Sequence, residues 1–333
     1  MSIRPAWALV GLLACADDPK SAPEVDAADP TVSPSDPDGP SSWDPDPYLP
    51  DGTDTAAYSQ SEMEAALAIG LETVLTLSPE PLFDAYDGAM RDQEAYCPAY
   101  YEVDGNTFWY SSCTTTSGTW YSGYGFDYIY EDVALDESGN LWDMRAVSGA
   151  ATVRDASGAT FHLGGGVQSG SSIGDDGWHV QLNTVQGSFR SDAPDLGETW
   201  LGRGVSPYHY AYVGSNPDLD SGDGPARYIF VQSAVGNINA EGLSIDIADL
   251  LMATEDVGWP CALEPMATIS VRLPTGAWYT VSFDIEDTSR GGWRLTGDCD
   301  GCGEVTDNRG DVVGEACIDA TPILDWETAP WLD

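Results

Sequence analysis

The sequence predicts a mainly β protein, an antiparallel sandwich or partly closed barrel carrying a short N-terminal helical pair, α+β by strict count. Apolar side chains recur at helical spacing only between about residues 60 and 92. From Cys97 onward, short runs rich in Tyr, Trp, Thr and Val are separated by Gly, Asp, Asn and Ser, the pattern of antiparallel strands. Six of the seven cysteines fall in that second part, an even number that reads as a disulfide framework in an exported chain.

The first element is not part of the fold. Residues Ala6 to Ala14 are apolar, with Arg4 before them, and the run is far shorter than the roughly 20 residues that span a bilayer. It reads as a signal peptide, residues 1–14. The junction Leu12-Leu13-Ala14-Cys15 resembles the lipobox of bacterial lipoproteins, with Leu13 in place of the small residue usual at the middle position. The resemblance implies that Cys15 becomes the lipidated first residue of the mature chain and that the membrane is a partner through this anchor. Two or three acyl chains, each buried CH₂ adding roughly 0.8 kcal/mol, hold firmly where one holds marginally. Ala16 rather than Asp follows the cysteine, which under the sorting rule known for some lipoproteins points to the outer membrane.

Residues 15–57 form the second segment. Positions 16 to 57 hold nine prolines, eleven acids and one lysine, too few apolar groups to offset the entropy of ordering, so an extended tether is expected. The whole chain carries 12 Lys plus Arg against 55 Asp plus Glu, a formal net charge of −43. Nucleic acid is excluded as a partner by that balance, because affinity for it rests on neutralising phosphates with Lys and Arg. Residues 58–333 are read as a single β-rich domain, since no second linker of this composition appears.

Within it, Met63, Leu67, Leu71, Val74 and Leu75 share one helical face, with Ser59 and Glu62, or Ser61 and Glu64, as capping boxes. Ser78-Pro79 ends this helix and opens a shorter one holding Leu82, Tyr86, Ala89 and Met90. The acidic polar face lacks the cations of a membrane-binding helix, so the stripe is expected to pack on a sheet. The clearest hairpin is "CPAYYEVDGNTFWYSSC". Centred on Gly105 it sets Val103 against Thr107, Tyr101 against Trp109 and Cys97 against Cys113, and parity then turns both cysteines to one face. Further hairpins are expected at Ala151–Leu163, Ala267–Phe283 and Cys302–Cys317, and "RYIFVQSAV" and "GLSIDIADLL" are apolar enough for central strands. The first two hairpins share Val-Arg-x-x-[Ser/Thr]-Gly-Ala, which reflects either a duplicated unit or a common hairpin solution.

Three disulfides are expected. Cys97–Cys113 follows from parity, Cys302–Cys317 from their symmetry about a turn at Arg309-Gly310, and Cys261–Cys299 from the remaining pair. Pairing of Cys299 with Cys317 is an alternative. The knuckle Cys299-Asp-Gly-Cys302 also suits zinc, but a second knuckle is missing, because Cys261 and Cys317 stand alone in the sequence. The sequence around Cys97 and Cys113, with its Cys-Pro, Asp-Gly turn and Cys-Thr-Thr, resembles an exported, disulfide-containing, β-rich type of bacterial lipoprotein. That resemblance implies no activity.

Motifs for catalysis lack their context. "GSSIG" matches a nucleophile elbow with Ser172, but neither a buried strand before it nor a helix after it is indicated, so a Gly/Ser loop is expected. His162, His179 and His209 do not assemble into a site. No cofactor is expected, apart from a structural Ca²⁺ if Asp218, Asp220 and Asp223 hold one in "NPDLDSGDGP", whose spacing departs from a calcium loop. The 12 Trp and 16 Tyr cluster in short runs, and Trp109, Tyr110, Trp120 and Tyr121 are the candidate glycan contacts, beside the plainer reading that they fill the sheet's core.

The expectation is thus a non-enzymatic envelope lipoprotein that displays a disulfide-stabilised β domain for structural or adhesive contact. The alternative is a carbohydrate-binding module or glycan-active enzyme. Extracellular polysaccharide or an envelope protein is the expected partner.

Overall fold

The computed structural model describes residues 57–75, 77–103, 106–134, 141–174, 177–191, 208–219, 226–238, 242–288 and 292–324. Cys15, the apolar run before it and nearly all of the expected tether lie outside the described residues.

Two helices come first, α1 (Gln60–Leu75) and α2 (Glu80–Met90), and a single turn, α3 (Thr321–Leu324), comes last. Between them run β1 (Tyr100–Val103), β2 (Asn106–Thr114), β3 (Trp120–Ala134), β4 (Leu141–Arg154), β5 (Thr160–Ile173), β6 (His179–Ser191), β7 (Tyr208–Asn216) and β8 (Ala226–Ile238). They are followed by β9 (Leu243–Ala253), β10 (Met266–Arg272), β11 (Trp278–Ser282), the short pair β12 (Ile285–Asp287) and β13 (Trp293–Leu295), and then β14 (Cys302–Asp307) and β15 (Val312–Cys317). Thirteen of these strands form one antiparallel sheet in chain order, β12 and β13 making a separate ribbon. The mainly β antiparallel class therefore holds, as a continuous meander with no closed barrel among the described strands.

The expected helical stripe is the buried one: Met63, Leu67, Leu71 and Val74 are all 7% exposed or less. They enter a core with Ile229, Ile245, Ile247, Ile269 and Val281 of the central strands. Truncating one such side chain costs about 2–5 kcal/mol. The segment also guards the sheet's last edge. Tyr58 O–H donates to the Glu315 carbonyl, and the Cys317 N–H donates to Glu64 Oε1 (3.1 Å), so backbone groups of β15 are occupied from the side. Helix α2 lays Leu82, Phe83 and Tyr86 over a second core made of Trp109, Tyr121, Val147, Leu163 and Val185.

Five described hairpins close in one way. Thr115/Thr119, Asp155/Ala159, Gly174/Trp178, Leu273/Ala277 and Asp307/Asp311 each carry an N–H to C=O bond from the first residue to the fifth, and a return bond from the fourth N–H. That fourth residue is always a glycine with φ between +81° and +95°: Gly118, Gly158, Gly177, Gly276 and Gly310. The shared Val-Arg-x-x-[Ser/Thr]-Gly-Ala is two instances of this turn, since three other hairpins reach the same geometry with different residues.

Two local expectations are corrected. The β1–β2 hairpin pairs Val103 with Asn106 and Tyr101 with Phe108, one residue away from the register centred on Gly105. The pairing of Val103 with Asn106 leaves two residues between the strands, and Cys97 reaches Cys113 from outside the ladder. "LGGGVQSGSSI" is strand β5 rather than a loop. Two of its glycines stand where neighbours leave no room for a side chain: a Cβ on Gly165 would lie 2.0 Å from the Gln186 carbonyl oxygen, and one on Gly170 2.6 Å from Met144 Cγ.

Candidate binding face

The two faces of the sheet differ. Alternation along β2 to β8 sends one set of side chains under the helices and the other to a face that no described helix covers. On β2, Trp109 is 2% exposed beneath α2, while its neighbour Tyr110 is 76% exposed on the other side. Register then extends the division, because Phe108 is paired with Phe126, and Tyr110 with Tyr124.

The helix-free face carries a continuous aromatic strip. Phe108 contacts Phe126 and Tyr128 edge-on at 5.2 and 5.4 Å between ring centres. Along β3, Phe126 stacks on Tyr128 (5.9 Å) and Tyr128 on Tyr130 (5.6 Å, 4° between planes). Tyr130 passes the strip to a cluster of Trp142, Met144, Val180 and Leu182 flanked by Trp178, Tyr210 and Tyr212. Tyr212 stacks on Tyr228 at 5.7 Å, and Tyr210 meets Phe230 at 6.0 Å. Tyr101, across from Phe108, is 65% exposed at one end of the strip. Burial raises Tyr128 and Tyr130 above the ordinary phenol range and pushes Tyr210 up to about 12, so these rings stay neutral through the physiological pH range.

At β8 the strip meets a different cover. Trp259, Cys261, Ile285 and Trp293, from the segment that holds β12 and β13, pack over Leu251 and Phe230, and the Cys261–Cys299 disulfide ties that segment down. An open cleft beside the Cys302–Cys317 disulfide is lined by Asp284, Asp298, Asp300, Glu304 and Glu315. Buried Glu264 braces its rear, accepting the Asp284 N–H at 2.6 Å; burial raises its carboxyl, against that bond.

The sequence-derived candidates separate accordingly. All three expected disulfides are present, with Cα–Cα separations of 5.7 Å for Cys97–Cys113 and Cys261–Cys299, and 3.9 Å for Cys302–Cys317. Of the four candidate glycan contacts, Tyr110 is exposed and Trp120 lies at the margin of the face under the Arg154 guanidinium, 5.6 Å away. Trp109 and Tyr121 are a correction: both point to the helix side, where Trp109 N–H donates to Tyr86 Oη (3.0 Å) and Tyr121 O–H to the Ala89 carbonyl (3.0 Å). Sequence adjacency hid this, because in a strand neighbouring aromatics face opposite ways.

Ser172 is the last-but-one residue of β5, 5% exposed and paired laterally with Trp142, and the next element is strand β6 rather than the helix an elbow requires. The histidines stay apart. His162 on β5 reaches Thr152 Oγ1 (3.0 Å), His179 is exposed at the start of β6, and His209 is buried on β7 beside Ser233 Oγ (3.3 Å). Asp218 sits in a 3₁₀ turn with its N–H on Asn216 Oδ1 (3.0 Å), while Asp220 and Asp223 lie outside the described residues. Among the described residues, no group of three His, Cys, Asp or Glu side chains is arranged to hold a metal ion.

The feature that sequence reasoning missed is the charge of the aromatic face. Strands β2 to β8 contain four of the chain's 55 acids: Asp127, Glu131, Asp132 and Asp143. Asp127 turns to the helix side to meet Arg145, and alternation with Trp142 and Met144 puts Asp143 there too. Glu131 and Asp132 fill the bulge between Tyr130 and Val133. Between the rings, the face is made of Ala146, Ser148, Ala150, Gln168, Thr184, Gln186 and glycines, with Thr152, His162 and the Arg154 guanidinium at its Trp120 margin. Scarcity of acid from 106 to 191 was readable in the sequence; the turn of Asp127 and Asp143 away from the aromatic face required the register. No family model, curated protein or solved structure matches the chain.

Proposed function

We propose that this chain is an exported, lipid-anchored binding protein of a bacterial envelope, held by Cys15, raised on the tether of residues 16 to 57, and presenting the helix-free face of β2–β8. The observation that carries the binding role is the asymmetry of the sheet. Helices α1, α2 and α3 pack over one face, with Tyr100, Ile129 and Ile173 exposed at its margins, whereas the other, which no described helix covers, leaves Tyr101, Tyr110 and Tyr124 at 65%, 76% and 42% exposure over a packed aromatic layer. A contiguous exposed aromatic patch of this kind marks an interaction surface in soluble domains. The three disulfides are compatible with an oxidising, extracytoplasmic compartment. The placement of Asp127 and Asp143 on the helix side favours binding over glycoside hydrolysis on this face, because that chemistry sets a pair of carboxyls against the sugar. Outer-membrane placement rests on Ala16 after the lipidated cysteine.

Fatty-acid labelling in cells tests the anchor: the wild type takes up label and Cys15→Ser does not, and labelling that persists in the variant sinks it. Retention on envelope fractions tests the face. The wild-type chain is retained and Tyr110→Ser/Tyr124→Ser is not; equal retention of the two removes the binding role from this surface.

A further inference from the structure

We propose that the ligand of the helix-free face is an uncharged polysaccharide; this rests on reading that face as the binding surface. The argument is charge complementarity. In a chain of formal net charge −43, seven consecutive strands hold only four acids, of which Asp127 and Asp143 turn to the opposite face. Such a field repels anionic glycans, nucleic acid and anionic lipid headgroups at long range, and a face meant for a cationic partner would carry the acids that are abundant everywhere else. A second copy of this chain is disfavoured for the same reason, since face-to-face pairing would bring two bodies of large like charge together.

What remains on the face suits a sugar polymer. The C–H faces of pyranose rings are apolar and pack on Tyr and Phe rings, and their hydroxyls need neutral donors and acceptors. Ser148, Gln168, Thr184 and Gln186 supply these beside the rings, with glycines keeping the surface low. A second observation lies at the strip's far end. Trp142 Nε1 and Ser172 Oγ, on laterally paired residues, are both buried without a hydrogen-bond partner among the described residues. Buried polar groups are rarely left so, and a ligand hydroxyl or a water reached through this face would satisfy them. The sheet geometry fits a long ligand, since side chains of one face recur about every 6.7 Å along a strand and the strip crosses from β2 to β8.

The test uses the purified full chain with insoluble cellulose and chitin, soluble malto- and cello-oligosaccharides, and polygalacturonate as the anionic control. At least one uncharged polymer should co-sediment with the protein or change its Trp fluorescence, the binding should not weaken as salt is raised, and polygalacturonate should not bind. Tyr110→Ser/Tyr124→Ser should weaken binding about tenfold or more, with Tyr110→Phe retaining it. Both tyrosines are exposed, so the circular dichroism of the variants should match the wild type. The proposal falls if none of the uncharged polymers binds, if polygalacturonate binds as well as they do, or if the double variant binds undiminished. It falls also if sedimentation shows dimers that Tyr110→Ser/Tyr124→Ser dissolves, which assigns the face to a second copy. Envelope retention that depends on these tyrosines without polysaccharide binding overturns the ligand class and leaves the binding face standing; loss of both results overturns both.

Discussion

The Trp109 indole donates its N–H to the Tyr86 hydroxyl across 3.0 Å, joining β2 to α2 inside a core where the two side chains are 2% and 3% exposed. The indole lies directly over β3: a Cβ on Gly125 would stand 2.5 Å from Trp109 Nε1. Burial raises the Tyr86 hydroxyl far above the ordinary phenol range although the indole bond opposes the shift, so it stays protonated and neutral. Tyr86→Phe should therefore cost about 1–3 kcal/mol, because it leaves the indole N–H unsatisfied in a dry site. Gly125→Ala should cost at least as much by displacing the ring. Urea denaturation measures both, and a Tyr86→Phe variant as stable as the wild type would show that the bond contributes nothing.

Arg145 ties the same helix to the sheet. Its guanidinium binds Asp87 of α2 (2.6 and 3.0 Å) and Asp127 of β3 (2.8 and 3.1 Å) and lies 4.8 Å over the Phe83 ring. Burial alone would lower its pKa, but the two carboxylates overcome this and raise it. Asp87 is half exposed and screened, so most of the stabilisation comes from Asp127. Arg145→Ala should destabilise by about 2–3 kcal/mol, and Arg145→Lys should recover little of it because an ammonium cannot make both forked contacts. Urea midpoints decide this, whereas guanidinium chloride would screen the pairs. Full recovery by lysine would refute the geometric argument.

These two contacts show what the sequence made legible. The helical stripe, the hairpin cysteines and the central strands were readable because each depends on spacing within one segment: Met63 to Val74, Cys302 to Cys317, "GLSIDIADLL". Trp109 and Tyr110 stand together as candidate glycan contacts in the sequence, beside the reading that they fill the core; period two must separate them, but nothing local says which of the pair meets α2. "LGGGVQSGSSI" read as a loop because glycine has low strand propensity, and the constraint that selects glycine there comes from Gln186 and Met144 on neighbouring strands. The acid-poor aromatic face was invisible for the same reason. Four acids in β2–β8 is a sequence fact, but the turn of Asp127 and Asp143 to the helix side belongs to the register.

Glycines of the sheet and of the turns should respond differently to alanine. Gly187 on β6 has φ +96°, and a Cβ there would stand 2.2 Å from the Gly164 carbonyl oxygen, in the interior of the ladder. Gly158 in the β4–β5 turn has φ +94° with nothing within 4 Å of its Cβ position. Gly158→Ala should cost only the left-handed strain, about 1–2 kcal/mol, and Gly187→Ala should cost more, because β5 and β6 must also separate. Thermal unfolding of the two variants gives the comparison. Equal losses would mean that the close approach at Gly187 relaxes freely.

His209 supplies a pH dependence whose sign follows from its burial. It is 1% exposed on the helix side of β7, with one ring nitrogen 3.3 Å from Ser233 Oγ and Nε2 without a partner among the described residues. Burial pushes it from 6.5 down to about 4, so the unfolded chain binds a proton more readily than the folded one. Its contribution is then fully present above pH 6.5 and is lost as the pH falls toward 4, a change of about 3 kcal/mol. Asp246 and Glu264 act oppositely, since burial raises both and their protonation favours the folded chain at low pH. Acidification also relieves repulsion among the chain's many carboxylates. The wild type must therefore be compared with His209→Gln at each pH. Their stabilities should converge as the pH falls from 6.5 to 4, the wild type losing more; parallel curves over that range would mean that His209 is not held neutral by the fold.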